Sequence, residues 1–306
     1  MIETILITGA TGLIGAATAQ KFIDAGYGVV GLDVNETPPL TDANFRYVCT
    51  DVVLEKMTLV LDELNPTAII HCAAHPGGKS FEEPVRNVQV NLTGSIRLFE
   101  WAARNNRRVI FLSSSSVYGD QNDAPISEDA TLRPGTIYAI GKVACEQFLN
   151  TFRLGSGLRS TTLRLFATYG AGHTPNLFQG IVNIILTQIE RGDKLIIKGS
   201  LARKRSLLYV DDAASMILLA YQNEKVIGKT LNLAHPEVFD ISGIIDQACA
   251  VLGKTREDID IILENGTVAD TFYNYADTSL MKNALGMVPE TNLADGIRKL
   301  IDMRRR

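Results

Sequence analysis

Tyr138 and Lys142 stand four residues apart in Tyr138-Ala139-Ile140-Gly141-Lys142, a spacing that puts a phenol and an ammonium on one face of a helix. The ammonium favours the phenolate, so the tyrosine is suited to act as a general base. Taken alone, the pair reads equally as a solvated helix edge. Its context is more specific. Far upstream, Gly9-Ala10-Thr11-Gly12-Leu13-Ile14-Gly15 follows a strand-like run and opens a helix-like one. Glycines there permit a tight turn and close approach of the backbone to a pyrophosphate, whose charge is met by amides at the helix N-terminus. Gly9, Thr11, Gly12, Leu13, Ile14 and Gly15 are therefore candidate cofactor contacts. The next apolar run ends at Leu32-Asp33, about 20 residues beyond the turn, where a carboxylate accepts hydrogen bonds from the adenosine ribose. The same charge repels a 2′-phosphate, so NAD is favoured over NADP. Asp51 and Val52, after a third strand, are placed to border the adenine, although an isolated Asp also serves turns.

The elements that position these residues alternate. Ile5 to Ile7, Gly28 to Leu32, Ala68 to Ile70, Val109 to Leu112 and Ser160 to Leu165 are strand-like runs, apolar on both faces, as in a parallel sheet covered on both sides. Helical spacing fills Gly15 to Ala25, Val85 to Asn105 and Ile137 to Phe152. Beyond Tyr169 the pattern predicts a helix from Leu177 to Arg191, a short strand at Leu195 to Ile197, and a return to the core through a strand at Leu207 to Val210 and a helix from Asp212 to Tyr221. The resulting expectation is an α/β chain in two parts, with 1–168 and 206–234 binding the dinucleotide and 169–205 and 235–306 forming a smaller, discontinuous α/β lobe.

At 306 residues with 46% apolar and 21% charged residues, the composition is that of a globular protein with a sizeable core. A dispersed net charge of −4 gives no footprint for nucleic acid, and the Arg304-Arg305-Arg306 run reads as a solvated tail. No apolar run is long enough to span a membrane. Cys49, Cys72, Cys145 and Cys249 lack metal or redox spacing, and Met1 leads directly into a strand-like run without a signal-peptide pattern. Reduced thiols in a cytoplasmic protein are the expectation. His71 and His75 flank a strand end and do not suggest a metal site.

Together with the glycine turn, several segments resemble the NAD-dependent epimerase/dehydratase family of extended short-chain dehydrogenases/reductases: His71-Cys72-Ala73-Ala74, Asn91, Ser113 to Gly119, the Tyr138/Lys142 pair, Leu163-Arg164-Leu165-Phe166 and Tyr209-Val210-Asp211-Asp212. The similarity runs from Ile2 to about Ile301. It implies a Rossmann-type doubly wound parallel sheet with a C-terminal substrate lobe, bound NAD, and a homodimer that pairs the helices of Val85 to Asn105 and Ile137 to Phe152 through apolar positions such as Leu98 and Phe148. Tyr138 becomes the acid/base, Lys142 its partner and a ribose ligand, and Ser114 the residue that hydrogen-bonds the reacting hydroxyl. Cys72, Ala73, Ala74 and Asn91 join the cofactor contacts, and Arg205 matches an arginine on the substrate diphosphate.

Strand alternation points Ser114 and Ser116 the same way. The family's dehydratases and decarboxylases carry Glu at the place of Ser116, and its fucose-type epimerase/reductases carry Cys. A hydroxyl of ordinary acidity replaces neither group, which leaves C4 epimerisation or simple oxidation and reduction as the economical chemistries. His75 and Lys79, in His75-Pro76-Gly77-Gly78-Lys79-Ser80, are candidate substrate contacts. Ala167 stands where many family members have an asparagine facing the diphosphate, and a later arginine is absent, with Thr267 near its place. The implied activity is that of a nucleotide-sugar 4-epimerase. A net sugar dehydrogenase or 4-keto reductase, and a non-catalytic NAD-binding protein, are the alternatives.

Overall fold

The computed structural model describes residues 3–170, 180–266 and 270–305. Seven parallel strands form its main sheet: β1 (Thr4–Thr8), β2 (Gly28–Asp33), β3 (Phe45–Cys49), β4 (Ala68–His71), β5 (Arg108–Ser114), β6 (Ser160–Leu165) and, after three short strands described below, β10 (Thr230–Leu233). The order across the sheet is 3-2-1-4-5-6-10. The order in which strands are added reverses between β1 and β4, which makes the crevice where doubly wound folds bind nucleotides. Ile5 and Ile7 face one core layer and Leu6 the other, which accounts for the uninterrupted apolar reading of β1.

Helices cover both faces. α1 (Leu13–Asp24) and α7 (Val210–Gln222) share one core cluster with α9 (Ser279–Leu285). α2 (Met57–Leu64), α4 (Ser95–Arg104) and α5 (Ile137–Ser156) lie on the other face, preceded by the short α3 (Pro84–Val88). α5 starts where Thr136 Oγ1 accepts from the Ala139 amide at 3.1 Å, and it ends at Gly157 with φ +71°. Its first turn therefore begins within the cleft, which places Tyr138 there.

The second lobe has its own core around α6 (Ile181–Arg191), α8 (Ile241–Val251) and α10 (Leu293–Arg304). Its sheet centres on β9 (Lys204–Tyr209), which pairs antiparallel with β11 (Val238–Asp240) and parallel with both β7 (Ala167–Tyr169) and β13 (Tyr273–Asn274). β8 (Leu195–Lys198) and β12 (Ile261–Glu264) form a separate parallel pair. The strand expected to return to the main sheet at Leu207 thus belongs to the second sheet, and only the helix after it packs on the core. Its apolar run fits either sheet; pairing partners distant in sequence decide between them. The helix expected from Leu177 is described from Ile181 onward, and its earlier residues lie outside the described range.

Arg304 is not part of a solvated tail, because it closes α10 and pairs with Glu190 on α6. No helix among the described residues is long and apolar enough to cross a membrane.

Candidate active site

The strand ends of the main sheet open onto a continuous cleft with three chambers. The central chamber, about 740 Å³, is lined by the glycine turn, Cys72, Ser114, Ser116, Tyr138 and Lys142. One of about 400 Å³ adjoins it beyond Asp33 and Asp51, and one of about 690 Å³ adjoins it beyond Ser116, Phe166 and Ala167.

At the glycine turn, Gly9 has φ +69°, and a Cβ there would lie 2.7 Å from the Ala73 backbone. A Cβ on Gly15 would lie 2.0 Å from the Gly9 carbonyl. These contacts let β1, the turn after β4 and the start of α1 meet without side chains between them. No side chain caps α1, so the amides of its first turn are available to an anion in the central chamber, which Leu13, Ile14 and Gly15 line. Asp33 is held by the Thr11 amide at 3.0 Å and the Val34 amide at 2.7 Å, with its carboxylate on the wall of the smallest chamber. Val52, Ala73 and Ala74 line the same chamber. Asp51 lies there too, but it pairs with Arg86 at 2.5 Å and accepts from the Val53 amide. The uncapped helix, the Asp33 carboxylate on the chamber wall and the bare glycine cradle fit a dinucleotide.

Lys142 is 3% exposed. Its Nζ donates to the Leu112 carbonyl at 2.7 Å and lies 4.8 Å from the Phe111 ring and 5.6 Å from the Tyr138 ring centroid. The ammonium is thereby fixed beside the phenol. Ser114 ends β5, and its Oγ accepts from the Ser116 amide at 3.2 Å. Ser116 Oγ is buried with no hydrogen-bond partner among the described residues, and its residue lines both the central chamber and the 690 Å³ chamber. Ser114, Ser116, Tyr138 and Lys142 therefore meet on one wall.

Two expected contacts take different places. His75 is on the wall of the chamber beyond Asp33, not in the chamber beyond Ser116, and its ring is held by Glu83 at 3.1 Å and Asn87 at 3.2 Å. Asn91 is 1% exposed and directs its amide away from the cleft: its Oδ1 accepts from the His75 amide and its Nδ2 donates to the His75 carbonyl. Asn91 thus positions the loop after β4. A π-helical turn at Gln89–Gly94 sets this arrangement, a local distortion common at functional sites. The loop carries Gly77, where a Cβ would come within 3.2 Å of the Tyr138 ring. Lys79 pairs loosely with Glu83 at 3.8 Å and lines none of the three chambers.

His71 is fully buried between the Thr8 and Ser95 hydroxyls, at 2.7 and 2.8 Å. Burial, followed by the Lys142 charge, pulls its imidazole down to about 3, so it is a neutral structural residue. Burial pushes the Cys72 thiol up to about 12.

Arg205 lines the 690 Å³ chamber beyond Ser116. Its guanidinium donates to the Lys204, Thr271 and Phe272 carbonyls, with no carboxylate paired to it among the described residues. Burial first, and Arg203 second, pull it down to about 10, partly offset by the Asp270 and Asp120 charges in the same chamber, so it remains charged at neutral pH. Arg203 itself pairs with Asp270 at 2.6 Å. Arg133 and Asn274 also line this chamber. Neither was legible as a site residue: Arg133 precedes α5 in an ordinary-looking turn, and Asn274 arrives through pairing of β13 with β9. Thr267 lies outside the described residues.

Comparison with known proteins agrees with this geometry. The model of the NAD dependent epimerase/dehydratase family matches residues 5–234. A UDP-glucose 4-epimerase of Mycolicibacterium smegmatis is 30% identical over 98% of each chain. The UDP-glucose 4-epimerase of Thermotoga maritima, solved with UDP-glucose, superimposes with a TM-score of 0.91 at 26% identity, covering 99% of this chain and 98% of that one. MoeE5, solved with UDP-glucuronic acid and NAD, superimposes with a TM-score of 0.89 at 26% identity over 99% of both chains. The chain belongs to the NAD-dependent epimerase/dehydratase family and is an enzyme whose cofactor is NAD.

Proposed function

We propose that this enzyme is a nucleotide-sugar 4-epimerase acting on UDP-hexoses through a transient 4-keto sugar. One observation carries the reading: a chamber lined by Arg205, which forms no salt bridge among the described residues, opens directly onto the wall that bears Ser114, Tyr138 and Lys142. A guanidinium fork suits the paired oxygens of a diphosphate, and this assignment directs the sugar ring toward Tyr138.

In the proposed reaction Ser114 orients the C4 hydroxyl and Tyr138 takes its proton, while Lys142 holds positive charge beside the phenolate. Bound NAD, held by the glycine turn and Asp33, would supply the hydride acceptor and donor for C4. The keto sugar then presents its other face, and Tyr138 gives the proton back. Ser116 offers the unpartnered hydroxyl to the sugar but no acid, which confines proton transfer to C4. Rate depends on holding these groups in register. Net dehydrogenation or 4-keto reduction is the second reading, favoured by Ala167, which places a methyl on the chamber wall where an amide would add a diphosphate contact.

We assign the main sheet to the cofactor and the sheet around β9, with α6, α8 and α10, to the substrate. We also propose a homodimer through the α3 and α5 side of the molecule. Leu98, expected at its interface, is fully buried in the core and is unavailable, whereas Val85, Val88, Ile140 and Phe148 are exposed there. The four unpaired cysteines support a cytoplasmic location.

The test is NMR of UDP-glucose, UDP-glucuronate and UDP-N-acetylglucosamine incubated with purified enzyme and no added NAD. A 4-epimer of at least one sugar is expected. Stoichiometric NADH formation on NAD addition, with no epimer, would replace this reading with the dehydrogenase.

A further inference from the structure

The reacting groups come from two elements, with Ser114 at the end of β5 and Tyr138 and Lys142 on α5. A buried carboxylate joins these elements behind the cleft. Glu146, one turn beyond Lys142, accepts from Ser113 Oγ at 2.5 Å and from Arg164 at 3.1 Å (Nε to Oε1) and 2.7 Å (Nη2 to Oε2). Arg164 is the β6 partner of Ser113 in the sheet. Both side chains of the ion pair are 7% exposed.

The connections continue outward. Arg164 Nη1 donates to the Tyr118 hydroxyl and the Glu128 carbonyl, both at 2.9 Å, and the guanidinium lies 4.9 Å from the Tyr118 ring centroid. Tyr118 donates to Asn232 at 2.6 Å, and Asn232 donates to the Ile126 carbonyl at 2.9 Å. Ile126 then bridges to Ala276, near the β13 segment of the substrate lobe. One polar network therefore links α5, the end of β5, β6, β10 and that segment.

A buried ion pair contributes little net stability over well-packed apolar residues, because desolvation offsets most of its attraction. Its two-point geometry, however, fixes distances. We propose that Glu146 and Arg164 are positioning residues: they clamp the end of β5 to α5 and so set the Ser114 hydroxyl against the Tyr138 phenol. The proposal rests on the assignment of those two groups to proton transfer. An error near 1 Å at such a pair costs up to about a hundredfold in rate, so modest loosening is measurable.

Three variants test it: Ser113→Ala, which removes one tether and leaves the ion pair; Glu146→Gln, which keeps the shape and removes the charge; and the apolar pair Glu146→Leu/Arg164→Met. Each is compared with wild-type turnover, whether that appears as isomerised sugar or as NADH, so a failed epimerase reading shows in the wild type and leaves the ratio intact. We expect kcat to fall roughly threefold in Ser113→Ala and about tenfold or more in Glu146→Gln, with KM within about twofold. The apolar pair should regain a melting temperature near that of wild type while kcat stays down by about tenfold. Wild-type kcat in the thermally restored pair, or in both Ser113→Ala and Glu146→Gln, would overturn the proposal.

Discussion

The cofactor and substrate ends of the cleft are built differently. Toward the cofactor, the functional groups sit at strand ends of a seven-stranded sheet or on the helix packed against it, and hydrogen bonds fix them: Leu112 holds Lys142, Thr11 and Val34 hold Asp33, and Asn91 holds the loop beside Tyr138. Toward the substrate, the wall is assembled from short strands around β9 and from turns, with Arg205 held by three carbonyls. The first arrangement preserves reaction geometry. The second leaves room for substrate choice to change by substitutions such as Ala167 without disturbing the reaction.

The largest expected effect is on the cofactor side. Tyr138→Phe keeps the ring against Gly77 but removes the acid/base group, so turnover should fall by roughly a hundredfold or more with NAD affinity nearly unchanged. Lys142→Met should also slow turnover and weaken NAD binding through the lost ribose contact. Steady-state kinetics with calorimetry of NAD binding check both; a folded, NAD-loaded Tyr138→Phe enzyme with near-wild-type turnover would require a different base.

Arg205→Met should act on binding, raising KM for a nucleotide sugar about tenfold while kcat changes little. Arg205→Lys, which keeps the charge but not the fork, should fall between. Equal losses in kcat would place Arg205 with the reacting groups and erase the contrast between the two ends.

A smaller effect is expected at Gly77. Adding a methyl 3.2 Å from the Tyr138 ring obliges the ring or the loop to give by a few tenths of an ångström. Gly77→Ala should therefore lower kcat a few-fold with KM nearly unchanged. An unaltered kcat would mean that the loop after β4 does not position the tyrosine.

His71 separates stability from catalysis. Its folded value of about 3 lies below the ordinary 6.5, so the unfolded chain binds the proton first. Its contribution is complete above the unfolded value and is lost as pH falls from 6.5 toward 3. Urea unfolding should show about 1 kcal/mol less stability at pH 5.5 than at pH 7.5 from this residue. His71→Asn should remove that increment, and an identical pH dependence in the variant would contradict the assignment.

The sequence was most legible where chemistry depends on local spacing. The glycine turn, Asp33, and the Tyr138 and Lys142 pair lie within single turns or at strand ends, and the structure brings them to one cleft. It was less legible where long-range packing decides. Leu98 and Phe148 are both apolar helix residues, yet one is core and the other surface, because the faces of α4 and α5 are chosen by their neighbours. His75, expected in a loop at the sugar end of the cleft, lies on the wall of the chamber beyond Asp33, where Asn91 holds its backbone. The strand at Leu207 carries the same apolar pattern in either sheet, and Asn274 reaches the cleft only through pairing with β9.

The most direct test of the central claim follows the hydrogen at C4. UDP-glucose deuterated at C4 is incubated with enzyme as purified, without added cofactor, and the products are read by NMR and mass spectrometry. The mechanism requires a 4-epimer that retains deuterium at C4 with no NADH released, because hydride leaves and returns within one site. Epimer formed with loss of that deuterium to solvent would contradict it.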